Sequence, residues 1–283
     1  MTKTRITSQE FTKWSQYIQR ICGVHLEVGK TYLIESRLTG LLKAHGFASF
    51  GDLYEEALND RTRTLKKEII DRITTNETLF FRDESPFELL KYKILPDLLD
   101  RKMAHASPGS GVSIRIWSCG CAMGQEVYSI AIAMKELIGN LEPFHINILG
   151  TDISNDAVAR ASKGEFNRLE IERGLSRERL ERFFSRNGDK WKINDDIRSM
   201  ATFRKINIME PFIGLPVFDI IFCRNVIIYF PVELQKKILN HFAGQLNRHG
   251  AFIMGSSETT YNLCDAFESV HVEDSVYFKP IAK

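Results

Sequence analysis

The chain is 283 residues long, 43% hydrophobic and 26% charged, with a formal net charge of +2. That length suits one large domain or two smaller ones, and the composition is that of a soluble globular protein. The charge is too small to argue for nucleic acid, the five cysteines lack the spacing of a disulfide framework or a zinc site, and no apolar run reaches transmembrane length.

The first 75 residues read as helices. Thr7-x-x-Glu10 is a capping-box pattern; Phe11, Trp14, Ile18 and Ile21 recur at helical spacing, and Gly23 stops the run. A second helix is predicted from about Lys30 to Ala44, with Leu38, Leu41 and Leu42 inward and Gly46 as its stop. Ser49 caps a third, carrying Phe50, Leu53 and Leu58, and a fourth carries Leu65, Ile69 and Ile73. Four short helices with short connections predict a small bundle over 1–75. Arg61, Arg63, Lys66, Lys67 and Arg72 crowd the fourth helix. A charge run is usually a solvated face; the alternative is a docking face for an acidic partner.

Residues 76–110 read as a linking motif, Asn76 to Asp83, and a further helix. Ser85-Pro86 opens that helix, with Ser as cap and Pro at its first position, and Pro96 ends or kinks it. His105 to Gly111 is a polar loop. From 111 to 283 strands and helices alternate: strands near 113–118, 145–151, 201–206 and 218–224, helices near 124–138, 154–162 and 232–246, then a strand at 251–254 and a closing hairpin over 267–278. Such alternation predicts an α/β, Rossmann-like domain with a mainly parallel sheet and a ligand at the carboxyl ends of its strands. The charged stretch 164–200 interrupts the alternation and reads as a small inserted β-subdomain with a helical part.

The first of those strands breaks into Gly120-x-x-x-Gly124 before a helix with Glu126 in its first turn. Glycine lets backbone approach a ligand closely, and the new helix offers unpaired N–H groups. Taken singly, the glycines fit plain strand-to-helix packing equally well. The second strand, however, ends in Gly150-Thr-Asp152, and an acid there typically binds ribose hydroxyls. The spacing is long for a dinucleotide fingerprint and its third glycine is missing, so a different adenosine-containing ligand is expected.

Asn76-Glu-Thr-x-Phe-Phe-Arg-Asp83, Trp117-Ser-x-Gly-Cys-x-x-Gly-x-Glu-x-Tyr-Ser129, Gly150-Thr-Asp-Ile153 and Phe218-Asp-x-Ile-Phe-Cys-Arg-Asn-Val-x-Ile-Tyr-Phe230 together resemble the chemotaxis receptor methyltransferases, the CheR family. The match runs through most of the chain in the expected order. The resemblance implies S-adenosyl-L-methionine as methyl donor, S-adenosyl-L-homocysteine as product, and glutamates on the cytoplasmic helices of chemoreceptors as acceptors, with a methyl ester formed. The family usually has small hydroxyl residues where this chain has Ala122 and Met123, and Glu-Glu-Pro where it has Gln125-Glu126-Val127.

Residue by residue, the resemblance places Asn76, Thr78, Arg82, Gly120, Glu126, Asp152, Asn207, Ile208, Asn225 and Val226 at the donor. Arg82 also holds and aims the acceptor carboxylate, and Tyr229 orients the same groups. Each role has a plainer alternative: a helix cap for Asp152, helix-dipole complementarity for Glu126, turn chemistry for Asn207, and a salt bridge to Asp83 or Glu84 for Arg82. Phe80, Phe81 and Cys223 read as packing. No metal is expected, nor a nucleophilic Ser or Cys, nor a catalytic His, because a carboxylate acceptor is already ionised at neutral pH. The expected protein is a cytoplasmic monomer that engages receptor helices, inserts into no membrane and binds no nucleic acid. Two other readings stay open: methylation of another acceptor such as a nucleobase amine, against which Arg224-Asn-Val-Ile argues, and a non-catalytic module that keeps the donor fold.

Overall fold

The computed structural model describes residues 5–107 and 111–281. The centre of the polar loop expected at His105–Gly111 lies outside the described residues.

Helices α1 (Ser8–Cys22), α2 (Thr31–His45), α3 (Phe50–Asn59) and α4 (Thr64–Ile73) form the N-terminal bundle. Thr7 and Glu10 make the capping box read from sequence, and Ser49 with Asp52 makes another. Gly23 and Gly46 end α1 and α2 in the left-handed conformation. Trp14, Ile18, Leu38, Phe50, Leu53 and Ile69 fill the bundle core. Each such burial contributes about 1.5–3 kcal/mol relative to exposure. Trp14 also donates its indole N–H to the Phe50 carbonyl at 3.0 Å. Leu58, expected inward, is 43% exposed; Ala57 takes its place because Phe50, Leu53 and Ala57 keep the inward stripe.

Two readings of the next segment are corrected. Ser85 is not the cap of α5 (Ser85–Leu89): Glu84 takes that position, and its carbonyl accepts the N–H groups of Phe87 and Glu88. Pro96 does not end the helix. The chain widens into a π turn at Leu90–Ile94, and Pro96 enters the first turn of α6 (Leu95–Ala104), where its missing N–H is harmless.

The second domain runs β1 (Val112–Cys119), α7 (Gln125–Ile138), β2 (Phe144–Asp152) and α8 (Asn155–Lys163). The insert follows as β3 (Glu165–Phe166), α9 (Arg168–Glu172), α10 (Arg177–Phe183), β4 (Phe184–Asn187), β5 (Lys190–Ile193) and α11 (Asp195–Arg198). Then come β6 (Ala201–Lys205), β7 (Phe218–Cys223), a 3₁₀ turn at Ile227–Tyr229, α12 (Val232–Gln245), β8 (Leu246–Met254), β9 (Phe267–Val272) and β10 (Ser275–Pro280). The main sheet has seven strands in the order β6-β2-β1-β7-β8-β10-β9. Pairings from β6 to β8 are parallel, and β10 runs antiparallel to both its neighbours.

Both faces of this sheet are covered, which explains its near-continuous apolar strands. Ile116, Ile148, Ile220 and Phe222 enter one core, and Trp117, Leu149, Ile221 and Cys223 the other. The insert carries its own antiparallel sheet, ordered β3-β5-β4. Phe80 is wedged beneath it, edge-on to Phe166 and Phe184. Phe81 lies under the guanidinium of Arg179, 3.7 Å from it, and Arg179 in turn grips Glu136 with two bonds of 2.8 and 2.9 Å. Phe80 and Phe81 are therefore packing residues, and they lock the 76–83 strap between sheet and insert.

Candidate active site

Chain order puts β1 between β2 and β7, so the strand order reverses at its carboxyl end. A crevice opens at such a switch point. Here it is a cavity of ≈ 240 Å³. Asn76, Thr78, Arg82, Gly120, Glu126, Asp152, Asn207, Ile208, Asn225, Val226 and Tyr229, every position singled out in the sequence, line this one space.

The floor is the turn between β1 and α7. Gly120 has φ +70°, and a Cβ there would stand 2.4 Å from Cγ2 of Val226. Only glycine lets this turn and the loop after β7 close on each other. Ala122 follows in the left-handed region at φ 46°, held by its N–H, which donates to Oδ2 of Asp152 at 3.0 Å. The other oxygen of Asp152 accepts the Ser154 N–H at 2.9 Å. Asp152 is thus not the cap of α8; the Ser154 hydroxyl is, accepting from Ala157. Burial pushes the Asp152 carboxyl above its ordinary range, partly offset by those backbone N–H groups.

Glu126 stands in the first turn of α7, with both oxygens engaged. The Ser118 hydroxyl donates to Oε1 at 2.8 Å, and Nη1 of Arg224 to Oε2 at 3.0 Å. Arg224 also donates through Nη2 to the Arg82 carbonyl at 2.8 Å and to Oδ2 of Asp83 at 2.9 Å. Asp83 is therefore committed to Arg224, and the plainer alternative for Arg82, a bridge to Asp83 or Glu84, does not form. The one hydrogen bond of the Arg82 side chain among the described residues is a long 3.5 Å contact to the Glu77 carbonyl. Its charge stays uncompensated by any acid there.

Asn207 behaves as its plainer alternative allows: Oδ1 accepts the Met209 N–H in an Asx turn at 3.1 Å. The residue still borders the cavity. Asn225 sits at φ 57°, where Asn is tolerated. The remaining wall comes from the N-terminal bundle, through Cys22, Val24, His25, Leu26, Leu33 and Arg37. The His25 N–H donates to the Tyr229 carbonyl at 2.8 Å. A Cβ on Gly23 would meet the Phe230 ring at 2.6 Å. Arg37 fixes the end of α4 and the chain leading into the strap, bonding the carbonyls of Arg72 and Thr74 and the Thr75 hydroxyl. The helical domain thus closes the cavity.

Cys121 and Cys223 are buried, and burial raises both thiols well above their ordinary range. A neutral buried thiol is a poor nucleophile. Among the described residues no His/Cys/Asp/Glu group could hold a metal ion, and no helix is long and apolar enough to cross a membrane.

Residues 9–74 match the family described as CheR methyltransferase, all-alpha domain, and residues 76–276 the CheR methyltransferase, SAM binding domain. The chain belongs to the CheR family. It is 38% identical to a chemotaxis protein methyltransferase of Vibrio parahaemolyticus over 99% of both chains. It is 36% identical to chemotaxis protein methyltransferase 1 of Pseudomonas aeruginosa over 95% of this chain and 97% of that one. Like its CheR relatives, it is a methyltransferase that uses S-adenosyl-L-methionine as methyl donor. The cavity suits that donor: Asp152 at the end of β2 and Glu126 in the first turn of α7 supply acids for a cationic nucleoside, and the turn at Gly120 leaves room where a Cβ would not.

Gln125 is 2% exposed and its Oε1 has no hydrogen-bond partner among the described residues. Sequence reasoning missed Arg224, which the Phe-Cys-Arg-Asn block displayed as a charged residue at the end of an apolar strand. It also missed the bundle wall and Glu258, whose carboxylate holds the loop after β7; nothing local in sequence marks either.

Proposed function

We propose that this enzyme methylates glutamate side chains on the cytoplasmic helices of chemoreceptors, giving methyl esters. The observation that carries this reading is Arg82: a guanidinium with no acid partner, lining the same cavity as the donor-side acids Glu126 and Asp152. A cation left unpaired at the mouth suits an incoming carboxylate, which it would hold in a charge-assisted pair.

When bound, S-adenosyl-L-methionine supplies an electrophilic methyl group on a sulfonium. Asp152 accepts from the ribose hydroxyls, and Glu126 faces the donor's amine. Gly120, Asn207, Ile208, Asn225 and Val226 shape the nucleoside slot, with Asn76 and Thr78 on the strap side. Arg82 aims the acceptor oxygen, and Tyr229, 40% exposed at the rim, orients the same group. No base is required, since the acceptor arrives ionised. In-line placement of oxygen, carbon and sulfur is then the main task, and such orientation can supply on the order of 7–11 kcal/mol of the barrier.

Esterification removes one negative charge from packed receptor helices, which relieves like-charge repulsion and biases a two-state signalling equilibrium. The enzyme acts as a cytoplasmic monomer, with residues 1–75 as a helical docking domain, 76–110 as a linking motif and helix and 111–283 as the catalytic domain with its insert at 164–200. The test is transfer of a labelled methyl group to a receptor cytoplasmic fragment. Label released by mild alkali and mapped to glutamate is the expected result; alkali-stable label, or label in nucleic acid, overturns it.

A further inference from the structure

We propose that Glu258 is a positioning residue for methyl transfer: its carboxylate sets the loop that carries Asn225, Val226 and Tyr229. The proposal rests on the functional reading above. Glu258 lies after β8, on a different connection from the loop it holds. Its Oε2 accepts the Asn225 N–H at 2.7 Å and the Gly255 N–H at 2.9 Å. Its Oε1 accepts the N–H groups of Val226, Ile227 and Ile228 at 3.1, 2.9 and 3.3 Å. One side chain therefore collects five main-chain donors, four of them consecutive.

Those four donors follow Cys223 of β7 and the fifth, Gly255, follows Met254 of β8, the last pair of the two strands. Beyond that pair the loop leaves the ladder, and Glu258 supplies the acceptors that the sheet no longer offers. The consequence is conformational. Asn225 is held in the left-handed region and Val226 is pressed against Gly120, so both stay at the cavity wall. The 3₁₀ turn that follows presents Tyr229, whose carbonyl receives the His25 N–H from the bundle. Glu258 thereby fixes donor-side and acceptor-side residues together without lining the cavity itself.

An ionised carboxylate only accepts, whereas an amide turns an NH₂ toward some of these N–H groups. Glu258→Gln keeps the shape and inverts part of the bonding. Glu258→Asp keeps the charge and shortens the reach. Both variants of the full chain are compared with wild type by thermal melting, S-adenosyl-L-homocysteine calorimetry and steady-state kinetics on a receptor fragment. The expected result for Glu258→Gln is product-analogue affinity weaker by about tenfold or more and a lower kcat. The melting temperature falls as well, because the amide leaves some of these N–H groups unpaired, while the KM for receptor stays near wild type, with Glu258→Asp intermediate. Wild-type affinity and kcat in a folded Glu258→Gln protein overturn the proposal, as does a fall in melting temperature with both intact. Should Glu258→Gln not fold, the same readings on Glu258→Asp decide. Calorimetry needs no acceptor, so a wrong assignment of the receptor glutamates leaves that arm standing and shows itself as wild-type enzyme inactive on the fragment.

Discussion

Arg224 and Glu126 face each other at the donor cavity, Nη1 to Oε2, at 3.0 Å. The Arg224 side chain is 1% exposed and that of Glu126 13%, so the pair is largely buried; Asp83, 41% exposed, extends it toward solvent at 2.9 Å. The geometry ties the strap bearing Arg82 to the helix bearing Glu126. Removing one member of a buried pair leaves the other charged and desolvated, which costs about 3–5 kcal/mol. Arg224→Ala is expected to lose stability of that order in urea denaturation. Arg224→Lys is expected to recover little of it, because one ammonium cannot replace the fork that spans Glu126, Asp83 and the Arg82 carbonyl. A lysine variant of wild-type stability would contradict the bridging role.

Asp152 gives a pH prediction with a defined sign. Burial raises its carboxyl above the ordinary value of 3.8 in the folded chain. Its proton is therefore held more tightly folded than unfolded, and the associated stability is present below the ordinary value and lost as pH rises through the raised one. The proposed contact with the ribose hydroxyls calls for the ionised form, which only accepts. Donor affinity is expected to fall as pH is lowered through that raised value, and binding there to release a proton. Calorimetry with S-adenosyl-L-homocysteine in buffers of different ionisation enthalpy measures that proton. Asp152→Ala is expected to weaken binding roughly 10- to 100-fold, the worth of one charged hydrogen bond, and to abolish the release.

Much of this site was legible because its residues sit in compact blocks. Gly120, Glu126 and Asp152 follow from strand-to-helix logic, and Arg82 and Asn225 from their motifs. Three things were not. Arg224 looked like the end of a strand, since its partners Asp83 and Glu126 are 141 and 98 residues away in the chain. Glu258 lies in a polar connection where an acid is ordinary. The bundle's share of the cavity depends on how two domains close on each other, and helical periodicity does not encode that. At Pro96 the sequence left an end and a kink open, and the π turn at Leu90–Ile94 rules out the end: a proline pattern shows that a helix is disturbed, not whether it resumes.

Gly120 tests the cradle. A Cβ at this position meets Val226 at 2.4 Å on a backbone at φ +70°, so Gly120→Ala must displace the loop after β7. The expected loss is in donor affinity, with the sheet and its melting temperature less affected, because Val226 moves before β7 does. Calorimetry and thermal melting on the same sample separate the two, and an alanine variant with unaltered affinity would remove the close approach from the account.

Lys66, Lys67 and Arg72 stand on α4, and Lys205 lies near them: burial, Lys67 and Lys66 push it below its ordinary value, against the opposite pull of Asp71 and Glu210. Charge reversal at Lys66, Lys67 and Arg72 is expected to raise the KM for receptor, with the effect shrinking as salt rises toward the regime where the screening length is about 8 Å or less. Donor affinity measured by calorimetry should not change. An unaltered KM at low salt would leave the basic run as a solvated face.

Arg82 decides between aiming and binding. Its guanidinium has no acid partner among the described residues, and it borders the donor cavity at the strap. If its main task is to hold the acceptor carboxylate, Arg82→Ala removes an interaction that strengthens as the oxygen reaches its in-line position. The expected outcome is a kcat lower by roughly 100-fold or more, with donor affinity changed only a fewfold. Arg82→Lys keeps the charge but not the planar fork and is expected to fall between. Melting temperature should move little, since no buried partner is left unpaired. Equal losses of donor affinity and turnover would instead place the guanidinium on the donor, and the acceptor would then have to be aimed by Tyr229, which Tyr229→Phe would expose as a lower kcat at unchanged donor affinity.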